Sequence, residues 1–181
     1  MRVAIDVHDV LADYVGALAL LYGPAPNGYT QEHLRRMWPR VNWAAHFNPD
    51  HHNSFLASLK PIQGAAGGVR ALNSRFECFY LSANTLDGHL VTSRWLRLNK
   101  FPSLELVLVG GQDEKEKVIR ELPQDTVIVD DMPRHLRAAR EMGKTAIAFA
   151  RPWNEIVSQE DMLRCKDWKE LCDVLLNPDP N

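Results

Sequence analysis

The sequence lacks several features that define whole classes of protein. No apolar run approaches the roughly 20 residues that a membrane-spanning helix needs, and the N-terminus enters an apolar strand without a signal-like segment. Twenty-one basic and twenty-three acidic side chains leave a formal net charge of −2, which gives no global attraction to nucleic acid or to a membrane surface. No internal repeat or low-complexity tract is present.

Cysteine is also scarce. The three cysteines, Cys78, Cys165 and Cys172, are odd in number, widely spaced and without a CxxC or Cys/His ligand pattern. Such spacing favours reduced thiols with structural roles in a reducing compartment. We therefore expect a cytoplasmic protein without disulfides or a cysteine-based metal site.

What is present is an alternation of strands and helices in a chain of 181 residues that is 45% hydrophobic and 24% charged. Alternation of this kind predicts an α/β fold with a doubly wound parallel sheet. The predicted strands are 3–7, 76–82, 104–109, 126–130 and 145–149, and the predicted helices after residue 64 are 65–74, 88–99, 114–122, 133–142 and 167–176.

Residues 13–63 interrupt this alternation without a strand. The pattern predicts three consecutive helices here, at 12–22, 31–38 and about 49–59, with Asn48 and Pro49 at the start of the third. We therefore expect a core of residues 1–12 and 64–181 that carries residues 13–63 as an inserted helical cap. A long irregular crossover is the alternative.

Polar side chains stand where the strands of the core end. They are Asp6, His8 and Asp9 after the first strand, Ser82 after the second, Lys115 after the third, and Asp130 and Asp131 after the fourth. Singly, each is ordinary, because an Asp at such a place is often a helix cap or a ribose ligand. Ligands of open parallel sheets bind at the carboxyl ends of the strands, so the joint order predicts a site there.

This order, around a helical insertion, resembles the haloacid dehalogenase superfamily of hydrolases over nearly the whole chain. Residues 6–13 read Asp-Val-His-Asp-Val-Leu-Ala-Asp, which is similar to the Asp-x-Asp-Gly-Val-Leu-Ala-Asp motif of the 5'(3')-deoxyribonucleotidase-like branch with a small helical cap. Two positions differ. Further similar pieces are Thr92-x-x-Trp95-Leu96, residues 127–131 and Arg151-Pro152-Trp153-Asn154. The resemblance implies a five-stranded sheet in the order 5-4-1-2-3.

The resemblance also implies a Mg²⁺-dependent phosphatase that acts on a small phosphomonoester such as a nucleoside monophosphate. Asp6 would be the nucleophile that forms an aspartyl-phosphate. Mg²⁺, which prefers oxygen ligands, would be held by Asp6, the backbone carbonyl of His8 and Asp130, with Asp131 close by.

The phosphoryl group would be held by Ser82, by backbone N–H groups such as that of Ala83, and by Lys115, which offsets its charge. Asp9 belongs to the same predicted phosphate-binding loop. Lys117 competes with Lys115 for the charge-offsetting role. The resemblance favours Lys115, because the family's lysine precedes the apolar positions of its helix with the spacing that Lys115 has to Val118 and Leu122.

His8 is the departure from the family pattern that matters. It stands where phosphatases of this superfamily carry the second Asp, which protonates the leaving alkoxide and later deprotonates the attacking water. An ordinary imidazole pKa of about 6.5 would let His8 perform both steps. The substitution also admits hydrolysis of carbon-halogen or carbon-phosphorus bonds, or an inactive protein that binds metal or phosphate. Asp9, which replaces a glycine, is either an alternative acid/base or a residue that crowds the loop.

The predicted cap would choose the substrate. Its aromatic residues, Trp38, Trp43, Phe47 and Phe55, either stack on a base or pack the helices against the core. His51 and His52 form an exposed helix start or, less readily, metal ligands, because adjacent helical residues do not face one another. The late segment 151–154 either lines the site or locks the C-terminal segment. We expect a small phosphorylated substrate, no nucleic-acid polymer and no membrane as partner, with a homodimer left open.

Overall fold

The computed structural model describes residues 1–24, 38–84, 88–160 and 162–177. Six strands form one parallel sheet. They are β1 (Arg2–Ile5), β2 (Glu77–Ser82), β3 (Leu106–Leu108), β4 (Thr126–Asp130), β5 (Ala146–Phe149) and β6 (Leu163–Cys165). The strand order is β3-β2-β1-β4-β5-β6, with every neighbouring pair parallel.

Helices connect the strands. In the described residues they are α1 (Tyr14–Tyr22), α2 (Trp43–His46), α3 (Pro49–Ser58), α4 (Ala65–Asn73), α5 (His89–Leu98), α6 (Gln112–Glu121), α7 (Pro133–Glu141) and α8 (Trp168–Leu176), with a 3-10 segment at Pro152–Glu160. Among the described residues, none of these helices is both long and apolar enough to cross a bilayer.

The predicted fold class is confirmed, with one correction. The five predicted strands are present and lie in the predicted order, but β6 extends the sheet beyond β5, with Leu163 opposite Ile147. The prediction missed β6 because this strand has only three residues, with a charged Arg164 between two apolar positions. Residues 31–37 of the helix predicted at 31–38 lie outside the described residues, and the four-residue α2 was not predicted.

Both faces of the sheet are buried, which explains why its strands read as continuous apolar runs. On one face, Val3, Ile5 and Val129 pack with residues of α4, α5 and α8. On the other face, Ala4 and Ile128 pack with residues of α6 and α7. The carboxyl ends of the strands therefore open onto one edge between two layers of helices.

The helical segment, defined here as residues 13–63, leaves the core and returns to it at one place. The backbone N–H of Asp13 donates to the carbonyl of Lys60 at 2.9 Å, and that of Ile62 donates to the carbonyl of Leu11 at 2.7 Å. The outgoing and incoming chains therefore lie side by side. In the described parts of this segment the regular structure is helical, as α1, α2 and α3.

The helical segment packs directly on the core. Leu18 of α1 and Phe55 of α3 belong to the same apolar cluster as residues of the sheet. The indole N–H of Trp95 on α5 donates to the carbonyl of Leu59 at 2.8 Å. This contact fixes the end of α3 against α5, next to the carboxyl ends of β1 and β2.

His46 gives the helical segment a predicted sensitivity to acid. Its side chain is 1% exposed, and its Nδ1 lies 3.0 Å from the hydroxyl of Tyr22. Burial, with the neighbouring His52 and His51, lowers the pKa of His46 from 6.5 to about 4. The folded protein therefore disfavours the protonated form of His46. The stability that the neutral, buried imidazole contributes is complete above pH 6.5 and is lost as the pH falls towards 4.

Lowering the pH from about 7 to about 4.5 should reduce the free energy of unfolding of both proteins. We expect the reduction in His46→Gln to be smaller than that in the wild type by roughly 2 kcal/mol. The measurement is the free energy of unfolding in urea at both pH values. His89→Gln, at an exposed position on α5, is the control and should keep the wild-type pH dependence. Equal losses in wild type and His46→Gln would contradict this account.

Candidate active site

Three carboxylates meet at the carboxyl edge of the sheet because β1 and β4 are neighbours. Asp6 directly follows β1, and its backbone N–H donates to the carbonyl of Val129 at 3.0 Å. Asp130 ends β4, and Asp131 follows it. One carboxylate oxygen from each of Asp6, Asp130 and Asp131 lies within 4.8 Å of the other two, and all three residues are buried. The predicted nucleophile and the predicted metal ligands therefore form one cluster.

Lys115 reaches this cluster from the first turn of α6. Its ammonium group contacts a carboxylate oxygen of Asp6 and lies 2.8 Å from Oδ2 of Asp130. The Lys115 side chain is 2% exposed, whereas that of Lys117 is 66% exposed and pairs with Glu114. The structure thus places Lys115, and not Lys117, at the site.

His135 is a member of the site that sequence reasoning missed. Its Nδ1 lies 3.2 and 3.1 Å from the two carboxylate oxygens of Asp130, and the backbone N–H of Met132 donates to Oδ1 of the same carboxylate at 2.8 Å. The signal was a histidine in the first turn of the helix that follows Asp130 and Asp131. Because a carboxylate accepts hydrogen bonds, Nδ1 is the donor, and His135 orients Asp130.

The site holds more negative charge than Lys115 balances. Burial raises the pKa of Asp6 to about 6 against the opposing effect of Lys115. Burial would also raise the pKa of Asp130, but Lys115 and His135 hold it well below its ordinary value. The pKa of Asp131 is raised well above its ordinary value by burial and then by Asp6 and Asp130.

The residues present fit a divalent cation. Oδ2 of Asp131 accepts a hydrogen bond of 2.7 Å from the indole of Trp153, but Oδ1 is buried and has no partner among the described residues. An orphaned carboxylate oxygen beside two further carboxylates is a costly arrangement that a cation relieves. An all-oxygen donor set suits Mg²⁺.

A small cavity of about 20 Å³ opens beside the cluster, which is room for about one water molecule. It is lined by Asp6, His8, Ser82, Ala83, Gln112, Lys115, Met132 and His135. Ser82, Ala83 and Lys115, which were predicted to bind phosphate, therefore face the same space as the predicted nucleophile Asp6, whereas Asp9 does not line it. Gln112 is an additional polar group that the sequence did not single out.

His8 lines this cavity as a neutral side chain. Its ring centroid lies 4.9 Å from that of Tyr14. Burial, and then the charges of His52 and Lys115, lower the pKa of His8 to about 3. His8 thus differs from the expectation of an ordinary imidazole, because a pKa this low favours the neutral ring, which carries no extra proton to give away.

Asp9 shapes the loop after β1 instead of lining the cavity. It has a φ of 58°, in the left-handed region where glycine is favoured and Asp is one of the tolerated residues. Its carboxylate accepts a hydrogen bond from the backbone N–H of Val15 at 3.1 Å, and its carbonyl accepts one from Nε of Arg151 at 2.7 Å. Burial raises the pKa of Asp9 to about 7. The backbone angle accounts for a glycine in the family motif.

The segment 151–154 forms hydrogen bonds to the loops that carry the carboxylates. Besides the bonds from Arg151 and Trp153 already described, the Asn154 amide donates to the carbonyls of Asp131 at 2.9 Å and Phe149 at 2.7 Å. These bonds tie the segment after β5 to both loops that carry carboxylates. None of its side chains lines the cavity described above.

The aromatic residues of the helical segment are mostly internal. Trp38, Trp43 and Phe55 are 5–7% exposed and belong to the main apolar cluster. Phe47 stacks on Trp43 with ring centroids 5.7 Å apart and remains 43% exposed. Packing therefore accounts for three of these side chains, and Phe47 keeps an open face.

His51 is exposed and His52 half-buried, and both rings contact that of His46. Among the described residues, the cluster of potential metal ligands is the one at the carboxylates, and no histidine of α3 belongs to it.

Comparison with solved structures shows the same architecture in other proteins. Neither the family models nor the curated proteins gave a match. A haloacid dehalogenase-like protein of unknown function from Agrobacterium tumefaciens has a TM-score of 0.70 and 15% identity, covering 97% of both chains. A putative beta-phosphoglucomutase from Thermotoga maritima has a TM-score of 0.65 and 18% identity, covering 98% of this chain and 99% of that one. A putative haloacid dehalogenase-type hydrolase from Bacillus subtilis, bound to magnesium, has a TM-score of 0.63 and 16% identity, covering 97% of this chain and 98% of that one. The fold of this chain is therefore that of haloacid dehalogenase-type hydrolases.

Lys115→Met, which keeps the length of the side chain, tests the charge balance of the site. We expect it to destabilise the ion-free protein by about 3 to 5 kcal/mol, because the buried carboxylates lose their ammonium partner. Millimolar Mg²⁺ should restore part of this loss. Lys117→Met is the matched control on the same helix and should change stability by less than about 0.5 kcal/mol. Urea unfolding with and without Mg²⁺ gives both values, and equal effects of the two substitutions would refute the assignment.

Replacement of His135 tests its role in orienting Asp130. His135→Leu removes the donor and should weaken Mg²⁺ binding about 10- to 100-fold. His135→Asn places an amide N–H near the position of Nδ1 and should retain affinity to within about threefold of the wild type. Titration calorimetry with Mg²⁺ measures both variants. Unchanged affinity in His135→Leu, or equal losses in the two variants, would contradict the proposed role.

Proposed function

We propose that this protein is a Mg²⁺-dependent phosphatase of the haloacid dehalogenase type that hydrolyses a small phosphomonoester through an aspartyl-phosphate on Asp6. The observation that carries the proposal is the position of the Asp6 carboxylate. It is buried between Lys115 and two further carboxylates, and it borders the cavity that Ser82 also lines. This is the set of groups that phosphoryl transfer requires.

Asp6 and Asp130 would hold Mg²⁺, with the backbone carbonyl of His8 and with Asp131 close by. When bound, the ion would offset the repulsion between the anionic carboxylates and an anionic phosphate. The chain's own residues do the rest of the binding. Ser82 and the backbone N–H of Ala83 donate hydrogen bonds to the phosphoryl oxygens, and Lys115 supplies a positive charge beside them.

The reaction proceeds in two displacements at phosphorus. An oxygen of Asp6 attacks the phosphorus, the bond to the ester oxygen breaks, and the leaving alkoxide takes up a proton. Water then attacks the phosphorus of the aspartyl-phosphate, which releases inorganic phosphate and a proton and returns the Asp6 carboxylate. His135 keeps Asp130 in place through both steps.

His8 sets the substrate preference in this proposal. Since its pKa is lowered to about 3, His8 is neutral at working pH and accepts a hydrogen bond from the attacking water. It does not donate a proton to the leaving group. Esters whose leaving group is stable as an anion therefore react faster than simple alkyl esters.

We further propose that the helical segment acts as a substrate-selecting cap and that the chain belongs with the nucleotidase-like branch. The side-by-side backbone bonds at Asp13 and Ile62 support an insertion that leaves and rejoins the core at one place. Phe47 offers an exposed ring of the kind on which a nucleobase stacks. A nucleoside monophosphate is therefore the favoured natural substrate class.

The test is release of inorganic phosphate from p-nitrophenyl phosphate, nucleoside monophosphates and sugar phosphates, with Mg²⁺ and with a chelator. We expect Mg²⁺-dependent release, and a loss on the order of a thousandfold or more in Asp6→Asn. His8→Asp should raise the rate on nucleoside monophosphates on the order of a hundredfold and change the rate on the aryl ester far less, since a general acid assists poor leaving groups most.

Two outcomes would contradict the proposal in different ways. Equal acceleration of both substrate types by His8→Asp would remove the general-acid argument. Wild type and His8→Asp that are both inert, while Mg²⁺ still binds at Asp6, would identify a binding protein that keeps the fold and the metal site without turnover.

A further inference from the structure

A groove of about 720 Å³ runs along the open edge of the sheet, between α5 and the chain that leads into β3. Its lining includes Leu90, Arg94, Arg97 and Leu98 of α5 and Leu104 and Leu106 beside or within β3. It shares no lining residue with the cavity at the carboxylates. The groove is therefore a separate surface.

The walls of the groove are apolar and incompletely covered. Leu90 is 78% exposed and Leu98 is 66% exposed, while Leu104 and Leu106 are half-buried. Single exposed leucines are ordinary on protein surfaces. Here, however, Leu90 and Leu98 are eight positions apart on one helix and so lie on one face with Arg94 midway between them.

The floor of the groove borders an unpaired strand edge. β3 pairs with β2 on one side and has no strand on its other side among the described residues. The carbonyl of Glu105 and the N–H of Val109 bond to β2. Because alternate residues of a parallel strand face opposite edges, the backbone groups of Leu106 and Leu108 point outwards. Such an edge accepts a further strand.

The charge of the groove is positive in a protein whose formal net charge is −2. His89, Arg94 and Arg97 line it, and no Asp or Glu does. Neither guanidinium group forms an ion pair or a hydrogen bond with any described residue. The partner surface that complements this groove is therefore acidic as well as apolar.

A second copy of the chain does not supply that surface. A two-fold axis that paired β3 with β3 of another copy would set the two α5 helices side by side and antiparallel. Leu90 of one copy would then meet Leu98 of the other, and Arg94 would face the other Arg94 at the centre. Like charges in that position cost free energy and disfavour a dimer through this face.

We propose that the groove binds an extended, acidic segment of a partner protein, which adds to β3 as an edge strand. The distance along α5 from Leu90 to Leu98 is about 12 Å at about 1.5 Å per residue, and four residues of a strand span about 13 Å. A segment with apolar, acidic and apolar side chains at alternate positions on one face therefore matches Leu90, Arg94 and Leu98.

The experiment uses a fluorescein-labelled synthetic peptide made of threonines, with leucine, glutamate and leucine at alternate positions so that the three lie on one face of a strand. A matched peptide carries lysine in place of the glutamate. Fluorescence anisotropy with the full chain should show saturable binding of the glutamate peptide, with a dissociation constant on the order of 10 to 100 µM, and at least tenfold weaker binding of the lysine peptide.

Substitutions separate the charge from the strand edge. Arg94→Glu with Arg97→Glu should weaken binding at least tenfold, whereas the control Arg40→Glu with Arg75→Glu, at exposed positions outside the groove, should not. Leu106→Pro removes an outward N–H, which edge strands tolerate, and should abolish binding while the circular dichroism spectrum is retained.

The proposal is overturned by absence of saturable binding, by equal binding of the two peptides, or by equal losses in the groove and control charge reversals. A dimer in sedimentation equilibrium that dissociates on Leu90→Asp or Leu98→Asp would also overturn it, by showing that a second copy occupies the groove. Phosphatase assays are independent of all these outcomes.

Discussion

The burial of three carboxylates around one lysine is the constraint on which the rest of the site depends. Asp6, Asp130 and Asp131 lie at the meeting point of two central strands, where water is largely excluded. Each buried charge costs several kcal/mol unless it is paired. Lys115 and His135 reduce this cost at Asp6 and Asp130, but Oδ1 of Asp131 keeps no partner among the described residues. The cluster therefore leaves one buried carboxylate oxygen that a cation would pair with, as the proposed metal site requires.

The loop after β1 has to hold a left-handed residue next to this charged cluster, and distant parts of the chain provide the support. Arg151 donates to the carbonyl of Asp9, and the indole of Trp168 donates to the carbonyl of Val10 at 2.9 Å. The carboxylate of Asp9 is itself held in the loop, because it accepts a hydrogen bond from the backbone N–H of Val15. The loop thus accommodates Asp at a left-handed position where the similar motif has glycine, and the proposed chemistry depends on His8 instead.

Most of the fold and most of the residues of the candidate site could be predicted, for identifiable physical reasons. Apolar runs alternating with helical patterns mark the first five strands, and polar residues at their ends mark Asp6, Ser82, Lys115 and Asp130. β6 has no such run, and it forms because its backbone pairs with the edge of β5 that β4 does not occupy. The lowered pKa of His8 and the hydrogen bond from His135 to Asp130 depend on burial and on contacts between distant residues, which spacing along the chain does not encode.

The central claim is that Asp6 receives a phosphoryl group beside an ion held by Asp6 and Asp130. The most direct measurement is a crystal structure of the protein with Mg²⁺ and beryllium fluoride, which mimics a phosphoryl group on a carboxylate. The account predicts beryllium bonded to an oxygen of Asp6, Mg²⁺ on Asp6 and Asp130, and Lys115 and Ser82 in contact with the fluorides. Mg²⁺ bound elsewhere, or beryllium fluoride absent from Asp6 in a structure that holds the ion, would contradict it.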